Sequence, residues 1–129
     1  MTMDLYRFDL NLHVVEQGQC DCEAALATFE QCYLNGFTSY DSGEEAMAAT
    51  SFGLSRSRAD FIELSCHGHD SVTVHSDRLC YPSRLSRYFG LKHHFYIKGD
   101  KAKGAEIIRD YFSMDREAFE AKYDDFLCR

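Results

Sequence analysis

The sequence contains no tryptophan, a single proline and, within its first fifty residues, a single basic side chain. The missing tryptophan excludes nothing by itself. One proline beside a hydrophobic share of 45% and an aromatic share of 14% argues against disorder and for a packed core. Long apolar runs are absent as well: no segment approaches the roughly 20 residues that a bilayer-spanning helix needs. The opening MTMDLYRFDL has neither a basic leader nor an apolar stretch, so a cytoplasmic protein is expected, without membrane contact. There is no glycine-rich phosphate loop, nucleophile elbow, His-Glu-x-x-His or dinucleotide fingerprint. These absences lower the case for catalysis without excluding it, and no cofactor is expected.

The shortage of bases is local. Residues 1–50 carry nine acids and one base, residues 51–100 five acids and seven bases, and residues 101–129 seven acids and six bases, for a net charge of −7. A first segment of charge −8 repels a phosphate backbone, so nucleic acid is not an expected partner. The same segment attracts a basic surface. At 129 residues the chain is the size of one domain, with enough core to stand without disulfides. Its six cysteines, without an export signal, read as reduced thiols.

Apolar and polar residues alternate from Tyr6 to Val15, with Phe8, Leu10, Leu12 and Val14 on one side, and predict a single strand. A helix is predicted from Asp21 to Leu34, with Cys22, Ala25, Leu26, Phe29, Cys32 and Tyr33 as its buried stripe and Asn35-Gly36 as its stop. Between Phe37 and Arg58 the pattern is weak; Ser42 opens a short helix that ends near Gly53. Asp60–Cys66 and Ser71–Ser76 then read as a hairpin around His67-Gly68-His69-Asp70. A helical turn from Ser83 to Tyr88, a strand from Leu91 to Lys98 and two helices follow. Those helices carry Ile107, Ile108, Tyr111 and Phe112, then Phe119, Tyr123, Phe126 and Leu127, with Asp115 as the cap between them. The expected fold is a single α+β domain: about four strands, mainly antiparallel, with helices on one face.

Three groups of residues bear on chemistry. Cys66-His67-Gly68-His69 has soft and imidazole ligands for zinc but lacks paired ligand knuckles, so a polar turn is the plainer reading and no metal is assigned. Cys20 and Cys22 flank the first helix start, where a thiol pKa falls, which makes Cys20 a candidate reactive thiol. The polar sides of the strands hold Asp9, His13, Glu63, His75 and His94, an acid/base cluster if they converge. Arg56, Arg58, Arg78, Arg84, Arg87, Lys92 and Lys98 make the middle segment basic, a face for acids of the first segment.

The acidic side chains Glu23, Glu30, Asp41, Glu44 and Glu45 form the candidate partner surface, with Tyr40 as an aromatic anchor. With its acidic segment from Asp4 to Glu45 and its α+β pattern, the chain resembles the bacterial immunity proteins that neutralise toxins delivered between competing cells. That resemblance is one of general character, transfers no individual residue, and implies an inhibitor that binds one cognate toxin and blocks its active site. The alternative is a small enzyme built on the histidine-bearing sheet face; a third reading is a self-associating scaffold domain. Oligomeric state is not specified by the sequence.

Overall fold

The short polar residues that interrupt the apolar pattern turn out to be helix caps. In the computed structural model, which describes residues 1–57, 60–80 and 93–123, four helices start on such side chains. Asp21 accepts from the Ala24 N–H at 2.8 Å and opens α1 (Cys22–Asn35). Ser42 accepts from Glu45 at 3.1 Å and opens α2 (Gly43–Thr50). Asp100 and Asp115 do the same, each at 2.8 Å, for α3 (Lys101–Ser113) and α4 (Arg116–Lys122). Each cap satisfies an N–H that has no partner inside its helix.

The strands are β1 (Met3–Phe8), β2 (Val14–Cys20), β3 (Ser51–Ser57), β4 (Asp60–Cys66), β5 (Val72–Cys80) and β6 (His93–Gly99). They form one antiparallel sheet in the order β2-β1-β3-β4-β5-β6. Six strands stand where about four were predicted. The run from Tyr6 to Val15 is two of them, split by a turn. Asp9 accepts from the N–H groups of Asn11 and His13 at 2.8 and 2.9 Å, and Leu12 takes a left-handed φ of 61°. Leu10 and Leu12, counted as buried by alternation, are 63% and 40% exposed. The second unforeseen strand is β3. It takes over directly from α2 at Ser51, so that helix ends before Gly53; Phe52 and Leu54 alternate into the core between Leu5 on β1 and Ile62 and Leu64 on β4.

The helices lie on one side of the sheet. Phe52, Leu54, Ile62, Leu64, Val72, Val74 and Ile97 point to that side and meet Ala25, Phe29 and Cys32 of α1 and Ile107, Ile108 and Tyr111 of α3. Full burial of each large apolar side chain contributes about 1.5–3 kcal/mol. The predicted stripes of α1 and α3 are therefore core. Phe126 and Leu127, and the helical turn predicted from Ser83 to Tyr88, lie outside the described residues. No described helix is long and apolar enough to cross a membrane.

Two arginines fasten helix ends to the sheet. Arg7 of β1 donates to the carbonyls of Ala48 and Ala49 at 3.2 and 3.3 Å, where the α2 dipole is negative. Arg56 of β3 donates to Tyr111 and Met114 at the end of α3, and its guanidinium lies 4.4 Å from the Tyr111 ring centre. Asp60, at the start of β4, joins this cluster: it receives the Tyr111 hydroxyl at 2.8 Å and Arg116 at 3.2 Å, and lies 3.5 Å from Arg56. At the other end of the sheet the β4–β5 turn docks on α1 and α3. Asp70 accepts from Tyr33 and from the Lys101 N–H, and a Cβ at Gly68 (φ 73°) would lie 2.7 Å from the Gly36 carbonyl oxygen.

Replacing Asp60 with alanine leaves two largely buried guanidinium groups facing each other and should cost about 3 kcal/mol in urea unfolding. A loss below about 0.5 kcal/mol would show that the cluster does not hold α3 and α4 to the sheet.

Candidate functional site

Antiparallel pairing puts residues that are opposite one another on the same side of the sheet. Tyr6 faces Gly53, Gly53 faces Glu63, and Glu63 faces His75, a row across β1, β3, β4 and β5 on the side away from the helices. On the outer side of β1, Tyr6 is paired with Glu16 of β2. The row works because its second member has no side chain: a Cβ on Gly53 would sit 1.9 Å from the Tyr6 ring. The ring therefore lies over β3, and its hydroxyl donates to Glu63 Oε1 at 2.9 Å. The other carboxylate oxygen of Glu63 is 3.0 Å from His75 Nε2. Tyrosine, carboxylate and imidazole are thus linked into one chain, with Tyr6 buried and His75 about one third exposed.

Beside this chain lies a cleft of about 510 Å³ lined by Asp4, Tyr6, Val14, Glu16, Ser55, Ser57, Phe61 and Glu63. Among the described residues, three carboxylates and two aromatic rings line it, and no lysine, arginine or histidine does. The Glu63 carboxylate is engaged at both oxygens. Asp4 and Glu16 are exposed and take part in no ion pair among the described residues. A second cavity, of about 350 Å³, lies between α2 and the β4–β5 turn and is lined by Tyr40, Met47, Ser51, Ser65, Cys66 and His67 among others.

Of the acid/base candidates, the sheet brings together Glu63 and His75. Asp9 and His13 meet separately, at 3.9 Å in the exposed β1–β2 turn. There the backbone N–H of His13 holds the Asp9 carboxyl below the usual carboxylate range. His94 belongs to β6, and its side chain lies outside the described residues. Among the partner-surface candidates, Glu23, Asp41 and Glu44 are exposed, Glu45 is half-buried, and Glu30 is paired with Lys101 at 2.7 Å. Glu44 and Glu45 occupy the first turn of α2, where the helix dipole favours them. The Tyr40 hydroxyl donates to the Asn35 carbonyl at 3.1 Å, so this ring is half-buried and tied to its own chain.

The thiols behave differently from the sequence expectation. Cys20 sits before the cap of α1, yet burial, followed by the charge of Asp21, raises its pKa. Cys22 and Cys32 are raised by burial, and burial followed by Cys32 pushes the Cys66 thiol up to about 12. Cys66 faces the core, whereas His67 is exposed and its Nε2 lies 3.0 Å from the Thr73 hydroxyl. Cys66, His67 and His69 therefore do not converge, and no described group of three His, Cys, Asp or Glu side chains is arranged to hold a metal.

Sequence reading missed Asp4, Tyr6, Glu16 and Phe61 as site residues. The signal was Gly53 between Phe52 and Leu54: a glycine inside an apolar alternation marks a place where a neighbouring group comes close. Compared with family models, curated proteins and solved structures, the chain matches none.

The raised thiol pKa values carry a sign. A thiol whose pKa is higher when folded leaves stability intact below the unfolded value, about 8.5, and removes it as pH rises toward the folded value. In a Cys80→Ser, Cys128→Ser background, the urea midpoint should fall steadily above about pH 9, and Ellman's reagent at pH 8 should reach Cys32 and Cys66 only after unfolding. Rapid labelling of either thiol in the native protein would contradict their burial.

Proposed function

We propose that this protein is a protein-binding inhibitor of the immunity type, which neutralises a bacterial toxin by covering a basic active-site surface with its own acidic one. One observation carries the reading. Arg7, the only base of the first fifty residues, is turned onto the α2 carbonyls of Ala48 and Ala49, while Asp4, Glu16, Asp21, Glu23, Asp41 and Glu44 are exposed. The charge of this segment is directed outward and is not neutralised from within it. Exposed carboxylates of one sign steer a basic partner and raise its association rate.

A second reading draws on the Tyr6–Glu63–His75 chain: an enzyme in which His75 exchanges a proton and Glu63 orients it. A metabolite that raises the melting temperature of the wild type but not of a His75→Gln variant, and that is consumed on incubation, would favour this reading.

The inhibitor reading is tested by capturing partners from the native host with tagged protein and measuring the complex by calorimetry and stopped flow. A single one-to-one protein partner is expected. Glu44→Lys with Glu45→Lys should slow its association by about tenfold at low salt and change dissociation little. Capture of no protein, or association kinetics that ignore both the reversals and salt, would contradict the reading.

A further inference from the structure

We infer that the cleft between β2, β1, β3 and β4 seats an arginine side chain of the protein partner, and that the β1–β2 hairpin covers the apolar residues beside that arginine. The inference rests on the inhibitor reading and names the surface and the chemistry by which it operates. Asp4 and Glu16 bring two carboxylates, without an ion pair among the described residues, to a concavity whose remaining walls include the Tyr6 and Phe61 rings. Glu63 adds negative charge but has both oxygens occupied, by Tyr6 and His75. Such a site asks for a cation that is flat, apolar on its faces and rich in N–H donors at its edges. A guanidinium meets all three demands: it stacks on aromatic rings and forks onto carboxylates, whereas an ammonium is a compact, strongly hydrated point charge. Among the described residues that line the cleft, none is a lysine, arginine or histidine that would compete.

Its surroundings point to a polypeptide and away from a small free cation. Val14 lines the cleft and is 53% exposed; Leu12 and Leu10, 40% and 63% exposed, continue from it around the turn. Three exposed apolar residues next to an acidic cleft match the composition of a protein interface, with an apolar centre and charges at its border. The carboxylates of α2 are different in kind: Glu44 and Glu45 line neither of the two described cavities. The two surfaces therefore divide the work, with α2 steering the encounter and the cleft holding the complex.

The test uses the full chain with isosteric changes at exposed positions, Asp4→Asn and Glu16→Gln, with the fold of the variant checked by circular dichroism and urea unfolding. In ¹⁵N-labelled protein, titration with N-acetyl-arginine methylamide should give saturable shifts at Asp4, Tyr6, Glu16, Ser55 and Phe61 with millimolar affinity, lost in the double variant. No saturable shift up to about 50 mM probe, or equal or stronger shifts with the lysine analogue or spermidine, would overturn the arginine assignment. With the captured partner, the double variant should dissociate about tenfold faster while Glu44→Lys with Glu45→Lys acts on association. Unchanged dissociation from an otherwise intact complex would overturn the cleft and leave the inhibitor reading standing. Failure to capture any protein would overturn the inhibitor reading itself.

Discussion

The Tyr6 ring lies across β3 because residue 53 is glycine, and much of the sheet is organised by that contact. Tyr6, Gly53, Glu63 and His75 stand opposite one another on four strands; the Tyr6–Glu63 link, at 2.9 Å, spans β3, and the Glu63–His75 link, at 3.0 Å, joins the neighbouring β4 and β5. A one-residue slip of β1 or β4 would carry Tyr6 or Glu63 to the helix side and leave polar groups among Phe52, Leu54 and Leu64. The row thus specifies register where the apolar alternation of β3 alone is short. It also shapes the surface: with the ring laid over Gly53, the space between β2 and β4 is left as the cleft lined by Asp4, Glu16 and Phe61.

On the other face the same logic governs charge. Arg7 and Arg56 point toward the helices and end on carbonyls at helix C-termini; Arg116 is buried against Asp60 and Glu120. Bases placed inside in this way hold α2, α3 and α4 to the sheet. Asp4, Glu16, Glu23, Asp41 and Glu44 are left exposed and without an ion pair among the described residues, so fastening the helices and exposing negative charge are two results of one arrangement.

Elements with a cap and a long period were legible in the sequence. The α1 and α4 helices follow from Asp21 and Asp115 together with stripes such as Ala25, Phe29 and Cys32, and α3 follows from Ile107, Ile108, Tyr111 and Phe112, whereas its cap Asp100 read only as the close of the preceding strand. The hairpin of β4 and β5 follows from alternation around a glycine-bearing turn. The division of β1 from β2 was hidden because Leu10 and Leu12 keep the strand period through a turn set by Asp9, whose side chain takes the Asn11 and His13 N–H groups. Strand β3 was hidden because its two core residues are separated by a glycine and flanked by serine and arginine, so tertiary pairing, more than local propensity, makes it a strand. The site divides the same way. Glu63 and His75 could be named from alternation, whereas Asp4, Tyr6 and Glu16 join them only through the pairing of β1 with β2 and β3, which a single sequence does not encode locally.

Amide hydrogen exchange, read with and without the captured partner, tests most directly that the side of the sheet away from the helices is the working surface. New protection is expected along Met3–Phe8 and Val14–Cys20, with α1 and α3 unchanged. Protection confined to α1 and α3, with the β1–β2 hairpin exchanging as in the free protein, would contradict it.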